Sequence, residues 1–174
     1  MKVIKKIIIW IKNILLLGLF CFFIHGLFWH NFYSHSLYYV KHTPRDEGYY
    51  PELVLFVQRY ENMPYRGKTA YEKDFFDGNI FNEDNTYCAS KLLDRIYFSD
   101  RKQIKNYFLE GNGKIQSYYG FHDFEAKKMT SSDRQEFERS LTEFLKPVEE
   151  ATSKPLINLQ WLFDKIYEGR FIDK

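Results

Sequence analysis

Residues 7–29 read IIIWIKNILLLGLFCFFIHGLFW, and only Lys12, Asn13 and His25 interrupt their apolar character. A helix rises 1.5 Å per residue, so roughly 20 apolar residues cross a hydrocarbon core of about 30 Å. The uninterrupted stretch, residues 14–24, is only 11 residues long. Crossing therefore requires Lys12 to extend its ammonium back to the headgroups, or His25 to enter the membrane as a neutral imidazole. Both are inexpensive, because each residue lies near an end of the run.

Direction follows from the lysines. Lys2, Lys5, Lys6 and Lys12 precede the apolar core, while Lys41 and Arg45 are the first certain positive charges after it. The positive-inside rule then keeps residues 1–13 cytoplasmic, makes 7–29 a transmembrane signal-anchor helix, and sends the remainder across. The abundance of Ile, Lys, Phe, Tyr and Asn matches AT-rich bacterial genomes, which puts the anchor in an inner membrane and the body in the periplasm. A cleaved signal peptide, giving a secreted product, is the rival expectation. Against it, the one small-x-small pattern, Ser34-His35-Ser36, lies about ten residues past the apolar core, further than cleavage sites usually fall. Phe20 before Cys21 spoils a lipoprotein site.

The net charge of +2 is unevenly distributed. Residues 1–30 carry four lysines and no acid, leaving 21 basic and 23 acidic side chains in the body. A slightly acidic body without a basic stripe argues against nucleic acid as partner. At 174 residues the chain suits an anchor plus one domain. Phe (17) and Tyr (14) are numerous enough to give that domain a dense aromatic core or exposed interface anchors. The two cysteines, Cys21 in the apolar run and Cys88 in the body, belong to different phases and form no bridge; Cys88, among Tyr87, Ala89 and Leu92, reads as a buried thiol.

After the anchor, residues 30–48 read as an interfacial aromatic segment and linker, with Trp29, Phe32, Tyr33, Tyr38 and Tyr39 at headgroup level and turn residues from Thr43 to Gly48. His25, His30, His35 and His42 raise haem or metal ligation. Spacings of five rotate successive imidazoles by about 140° on a helix, off one face.

Residues 49–174 are expected to form an extracytoplasmic helical domain, so the fold class is mostly α: a transmembrane helix followed by a small irregular bundle. Pro51 and Glu52 open a helix carrying Leu53, Leu55, Phe56, Val57 and Tyr60, which stops before Met63-Pro64. Thr69-Ala70-Tyr71-Glu72 has capping-box spacing. Asn85 or Thr86 caps a helix through Leu92, Leu93, Ile96 and Tyr97. Ser99-Asp100 start another through Ile104, Tyr107, Phe108 and Leu109, ended by Gly111-Asn112-Gly113. Ser132-Asp133-Arg134-Gln135 caps a helix with Phe137, Leu141, Phe144, Leu145 and Val148 inward. Pro155 opens the last, with Leu156, Leu159, Leu162, Phe163 and Ile166 inward and Gly169 as its C-terminal cap. The alternative is an α+β fold with one short hairpin near residues 114–125.

No motif defines catalysis, a cofactor or a metal site, so catalytic, cofactor and metal residues are all expected to be none. In the acidic loop 74–84, Asp77 and Asn79 alternate as calcium ligands would, but Phe81 and Asn82 occupy positions that need an oxygen ligand and a glycine. The glycine–lysine pairs in residues 62–68 and 111–114 lack the strand-to-helix setting of a phosphate loop, and His122-Asp123 reads as polar surface. The expectation is an anchored binding protein that engages the bilayer and a protein partner, as an immunity protein or an accessory subunit of an envelope complex. An envelope-acting enzyme using Asp77, Glu83 or Asp123, or a haem- or metal-binding membrane protein, are the alternatives.

Overall fold

The computed structural model describes residues 2–60, 71–74, 77–93, 95–120, 125–152 and 154–173. The chain divides into two compact units, Met1–Ser34 and His35–Lys174.

The first unit is one helix, α1 (Lys2–Ser34). Its stretch Lys6–Ser34 is long and apolar enough to cross a membrane, as an anchor or as a signal. Large side chains stand exposed on all sides of it, including Trp10, Leu15, Leu19 and Phe22. A helix apolar all round belongs in a protein core or a bilayer, and the most apolar stretch of this one is not buried. Toward its C-terminal end Trp29 stacks on Tyr33 at 5.4 Å and meets His25 edge-on at 5.8 Å.

The second unit is built on a six-stranded antiparallel sheet, which overturns the expected helical bundle. Its strands are β1 (Tyr71–Lys73), β2 (Ile80–Asn82), β3 (Tyr87–Leu92), β4 (Arg95–Asp100), β5 (Lys105–Glu110) and β6 (Ile115–Gly120), each paired with the next in sequence. The helix expected through residues 92–97 is the β3–β4 hairpin, with Ala89 opposite Phe98 and Lys91 opposite Ile96. The helix expected from Ser99 to Leu109 is the β4–β5 hairpin, in which Phe98 faces Tyr107 and Ile96 faces Leu109. Asn112-Gly113, expected to end that helix, turns β5 into β6, so the segment suspected of forming its own hairpin, residues 114–125, contributes one described strand, β6, paired with β5. Tyr71 and Glu72 lie in β1 rather than in a capped helix. Thr69, Ala70, the Met63-Pro64 stop, the 62–68 loop and residues 121–124, including His122 and Asp123, lie outside the described residues.

These strands are masked in the sequence for a physical reason. Along these strands the inward set is Tyr87, Ala89, Ile96, Phe98, Tyr107 and Leu109, which are buried. The alternate set includes Tyr97, Phe108 and Tyr119, so both faces carry rings and the period-two contrast is erased. What remains are chance spacings of three and four.

Helices pack on the inward face and on one another. α2 (Ser36–Lys41) and α3 (Pro51–Arg59) come first, and α3 begins on Pro51 with Glu52 in its first turn, as its sequence predicts. α4 (Ser131–Ala151) lays Phe137, Leu141, Phe144, Leu145 and Val148 on the sheet side, the inward positions its spacing predicts. Phe137 meets Tyr107 at 4.7 Å and Phe98 at 5.5 Å, and Phe144 meets Phe98 at 5.4 Å. α5 (Gln160–Tyr167) starts five residues later than Pro155 suggests, and only Leu159, Phe163 and Tyr167 point inward there. Leu156 is fully exposed and Ile166 half-exposed, contrary to their expected burial. Pro155 and the Asn158 turn (Gln160 N–H to Asn158 Oδ1, 2.9 Å) keep Leu156 out of the helical period. Gly169 follows the helix at φ +69°, the left-handed cap expected of it.

α4 is capped two residues earlier than expected. Thr130 Oγ1 accepts from Asp133 N–H at 3.2 Å, and Thr130 N–H donates to Asp133 Oδ2 at 3.1 Å, a reciprocal capping box. Lys105 on β5 donates to Asp133 at 3.0 Å and to Glu136 at 2.9 Å, fastening sheet to helix. Burial opposes ionisation of Asp133, yet its Thr130 hydrogen bonds and the Lys105 ammonium outweigh it and hold the carboxyl at about 2. A depressed folded value means the contribution is complete above the unfolded carboxyl range and is lost as pH falls from the ordinary 3.8 through about 2. Asp133→Asn should therefore cost about 1 kcal/mol at neutral pH and flatten the acid limb of the stability curve. Urea titrations of both proteins across that window check it; parallel acid limbs would refute the assignment.

Candidate functional site

The sheet face opposite α4 holds a cavity of about 560 Å³. Its wall is built by alternate positions of four adjacent strands: Phe81 on β2, Cys88 on β3, Tyr97 and Ser99 on β4, and Asn106 on β5. Asn79, Arg101 and Ile104 form its rim. Antiparallel register does the assembly, because Phe81 lies opposite Cys88, Cys88 opposite Ser99, and Ser99 opposite Asn106.

The cavity joins an apolar wall to a small set of fixed polar groups. Tyr97 Oη and Ser99 Oγ each donate to Asn106 Oδ1 at 2.8 Å. That leaves the Asn106 amide as a donor group among the wall residues. Arg101 holds its guanidinium over the Phe81 ring, 5.2 Å from the centroid. Burial pushes the Cys88 thiol up to about 11, so it is a protonated, nearly apolar part of the wall; it is free and buried, as the sequence predicts. Beyond Tyr97 the aromatic surface continues: Phe108 lies 5.5 Å from Tyr97, and Tyr119 lies 5.3 Å from Phe108. These three rings are half-exposed.

Ile104 stands out on the rim. It occupies the left-handed region at φ +56°, where a β-branched residue is strained by about 1–2 kcal/mol, and its side chain is 54% exposed. Leu93, in the β3–β4 turn, has φ +55° and is 87% exposed. Turns of this geometry favour Asn or Gly, as at Asn85 (φ +54°) and Gly78 (φ +66°). Strained apolar residues displayed to solvent point to a function other than folding.

The carboxylates singled out from sequence do not meet. Asp77 and Glu83 are exposed at opposite ends of β2, and Asp123 lies outside the described residues. The 74–84 loop resolves into two turns. Gly78 N–H bonds Asp74 O at 3.1 Å before β2, and Asp84 Oδ1 accepts from Thr86 N–H at 3.1 Å after it. Asp77 shares a shallow groove with Lys73 and Lys91 rather than with a second acid. Among the described residues no group of three His, Cys, Asp or Glu side chains is placed to hold a metal ion. His42 Nδ1 contacts Tyr38 O at 2.7 Å, a local bond within its own turn. No local pattern in the sequence points to the cavity, since its residues come from four segments joined only by strand register.

Comparison with protein-family models, with curated proteins and with solved structures returned no match.

Proposed function

We propose that this chain is a membrane-anchored binding protein whose α1 stays in the bacterial inner membrane, N-terminus inward, and whose extracytoplasmic domain engages a protein partner. The observation that carries the reading is the open sheet face, where Tyr97, Phe108 and Tyr119 run beside a cavity rimmed by a strained, exposed Ile104. Half-exposed rings and an arginine around a concave apolar centre are the chemistry of interface hot spots. An immunity protein that neutralises a toxin and an accessory subunit of an envelope complex are two forms of this function. The first predicts a partner that is harmful alone, the second a partner that co-purifies in a resident complex.

Ile104→Asn separates a binding role from a folding role. Asparagine tolerates the left-handed backbone and removes the apolar tip, so stability should hold or rise by up to about 1 kcal/mol. Partner recovery from native membranes, by affinity purification of the full chain after cross-linking, should fall about tenfold, or about 1.4 kcal/mol. Phe108→Ser should reduce it further. Recovery undiminished in both variants, or no partner recovered from native membranes by the unaltered chain, would sink the proposal.

A further inference from the structure

We propose that Leu156, Ile157 and Trp161 form a second membrane contact, an apolar surface of the folded domain that sits in the headgroup layer of the bilayer crossed by α1. The proposal rests on the reading of α1 as a retained anchor. Leu156 is 100% exposed, Ile157 62% and Trp161 65%, within six residues of one another. They are not loose ends of chain. Buried Leu159 and Phe163 fix the segment from within, and Tyr39 pins it from α2. Tyr39 Oη donates to Ile157 O at 3.0 Å, Leu159 N–H donates to Tyr39 Oη at 3.3 Å, and Gln160 Nε2 donates to Tyr39 O at 2.9 Å. The fold thus spends an ordered network on holding three large apolar side chains outward.

The occupant follows from chain continuity and composition. Tyr39, to which the segment is tied, lies five residues beyond Ser34, where the apolar helix ends. Five residues of chain reach no further than about 18 Å. Trp161 and Lys165 share a face of α5 at i and i+4, and exposed Lys154 precedes the patch. An amphipathic indole flanked by lysines suits a headgroup layer containing anionic lipid. Three large apolar side chains held outward call for a covering surface, and the bilayer that holds α1 is the one the chain itself brings near.

The test uses the full chain in vesicles of phosphatidylethanolamine and phosphatidylglycerol, with Cys21→Ser removing the exposed thiol and buried Cys88 left in place. An environment-sensitive fluorophore is attached at Ile157→Cys or, separately, at Leu19→Cys in α1. Neither side chain contributes to the core, and near-ultraviolet circular dichroism confirms the fold of each. Nitroxide-bearing lipids are expected to quench both labels, position 157 losing more than half its emission at every protein-to-lipid ratio. Quenching at 19 with none at 157 overturns the proposal and leaves the anchor standing. Shielding of 157 only at high protein-to-lipid ratio assigns the patch to a second copy, and also overturns it. No quenching at 19 removes the anchor reading and this proposal together.

Discussion

Replacing Phe144 by alanine is expected to destabilise the folded domain by about 3–5 kcal/mol, the range for emptying a buried aromatic site. Phe144 is fully buried, with Phe56 and Tyr71 each 5.3 Å away, Phe98 at 5.4 Å and Tyr87 at 6.3 Å. It therefore joins α3, α4 and three strands, and few of these rings can collapse into the space it leaves, because each is held by its own element. Tyr71 Oη also donates to the Phe144 carbonyl, so the truncation loosens β1 against α4. Against a total of about 5–15 kcal/mol for an ordinary domain, that loss is a large fraction. Urea unfolding of the full chain in detergent, followed by near-ultraviolet circular dichroism, should show a lower midpoint with an unchanged slope. A loss below about 1 kcal/mol would contradict the packing of α4 on the sheet.

Gly113→Ala should be the next most damaging change, at about 2–4 kcal/mol. Gly113 has φ +89°, where an L side chain is strained whatever space it has. Space is also lacking: a Cβ there would lie 3.0 Å from Tyr50 C and 3.1 Å from both Pro51 N and Tyr50 O. These are backbone atoms, and they cannot swing aside. The contact is close because Tyr50 N–H donates to Gly113 O at 2.9 Å and Ile115 N–H donates to Gly48 O at 2.9 Å, stitching the β5–β6 turn to the start of α3. The same substitution at Gly78, where only the flexible end of Lys73 is near, should cost less than half as much. Thermal melts of both variants check the contrast; equal losses would mean that backbone conformation alone, and not the stitch to α3, sets the cost.

The two glycines show how much of the fold the sequence disclosed. Gly111-Asn112-Gly113 was legible as a stop signal, but not as a stop between strands. Cys88 was legible as buried, but not as part of a cavity wall. The cavity needs Phe81, Cys88, Tyr97, Ser99 and Asn106 in one place, and only the pairing of β2 to β5 puts them there. The strained Ile104 left no trace in sequence beyond an apolar residue where a turn would prefer Asn or Gly.

What the sequence determined by itself was whatever rests on neighbours along the chain. The apolar run of α1 is long enough to cross a membrane by composition alone. Pro51 at the head of α3 and the inward stripe of α4 from Phe137 to Val148 follow from the period of one helix. What only the tertiary structure decided was the identity of residues 71–120. Rings on both faces of those strands give no local contrast, and a strand is stabilised by a partner its own sequence does not contain. Pairing with neighbours, and α4 laid on one face, settled which rings became core and which were left for something else to meet.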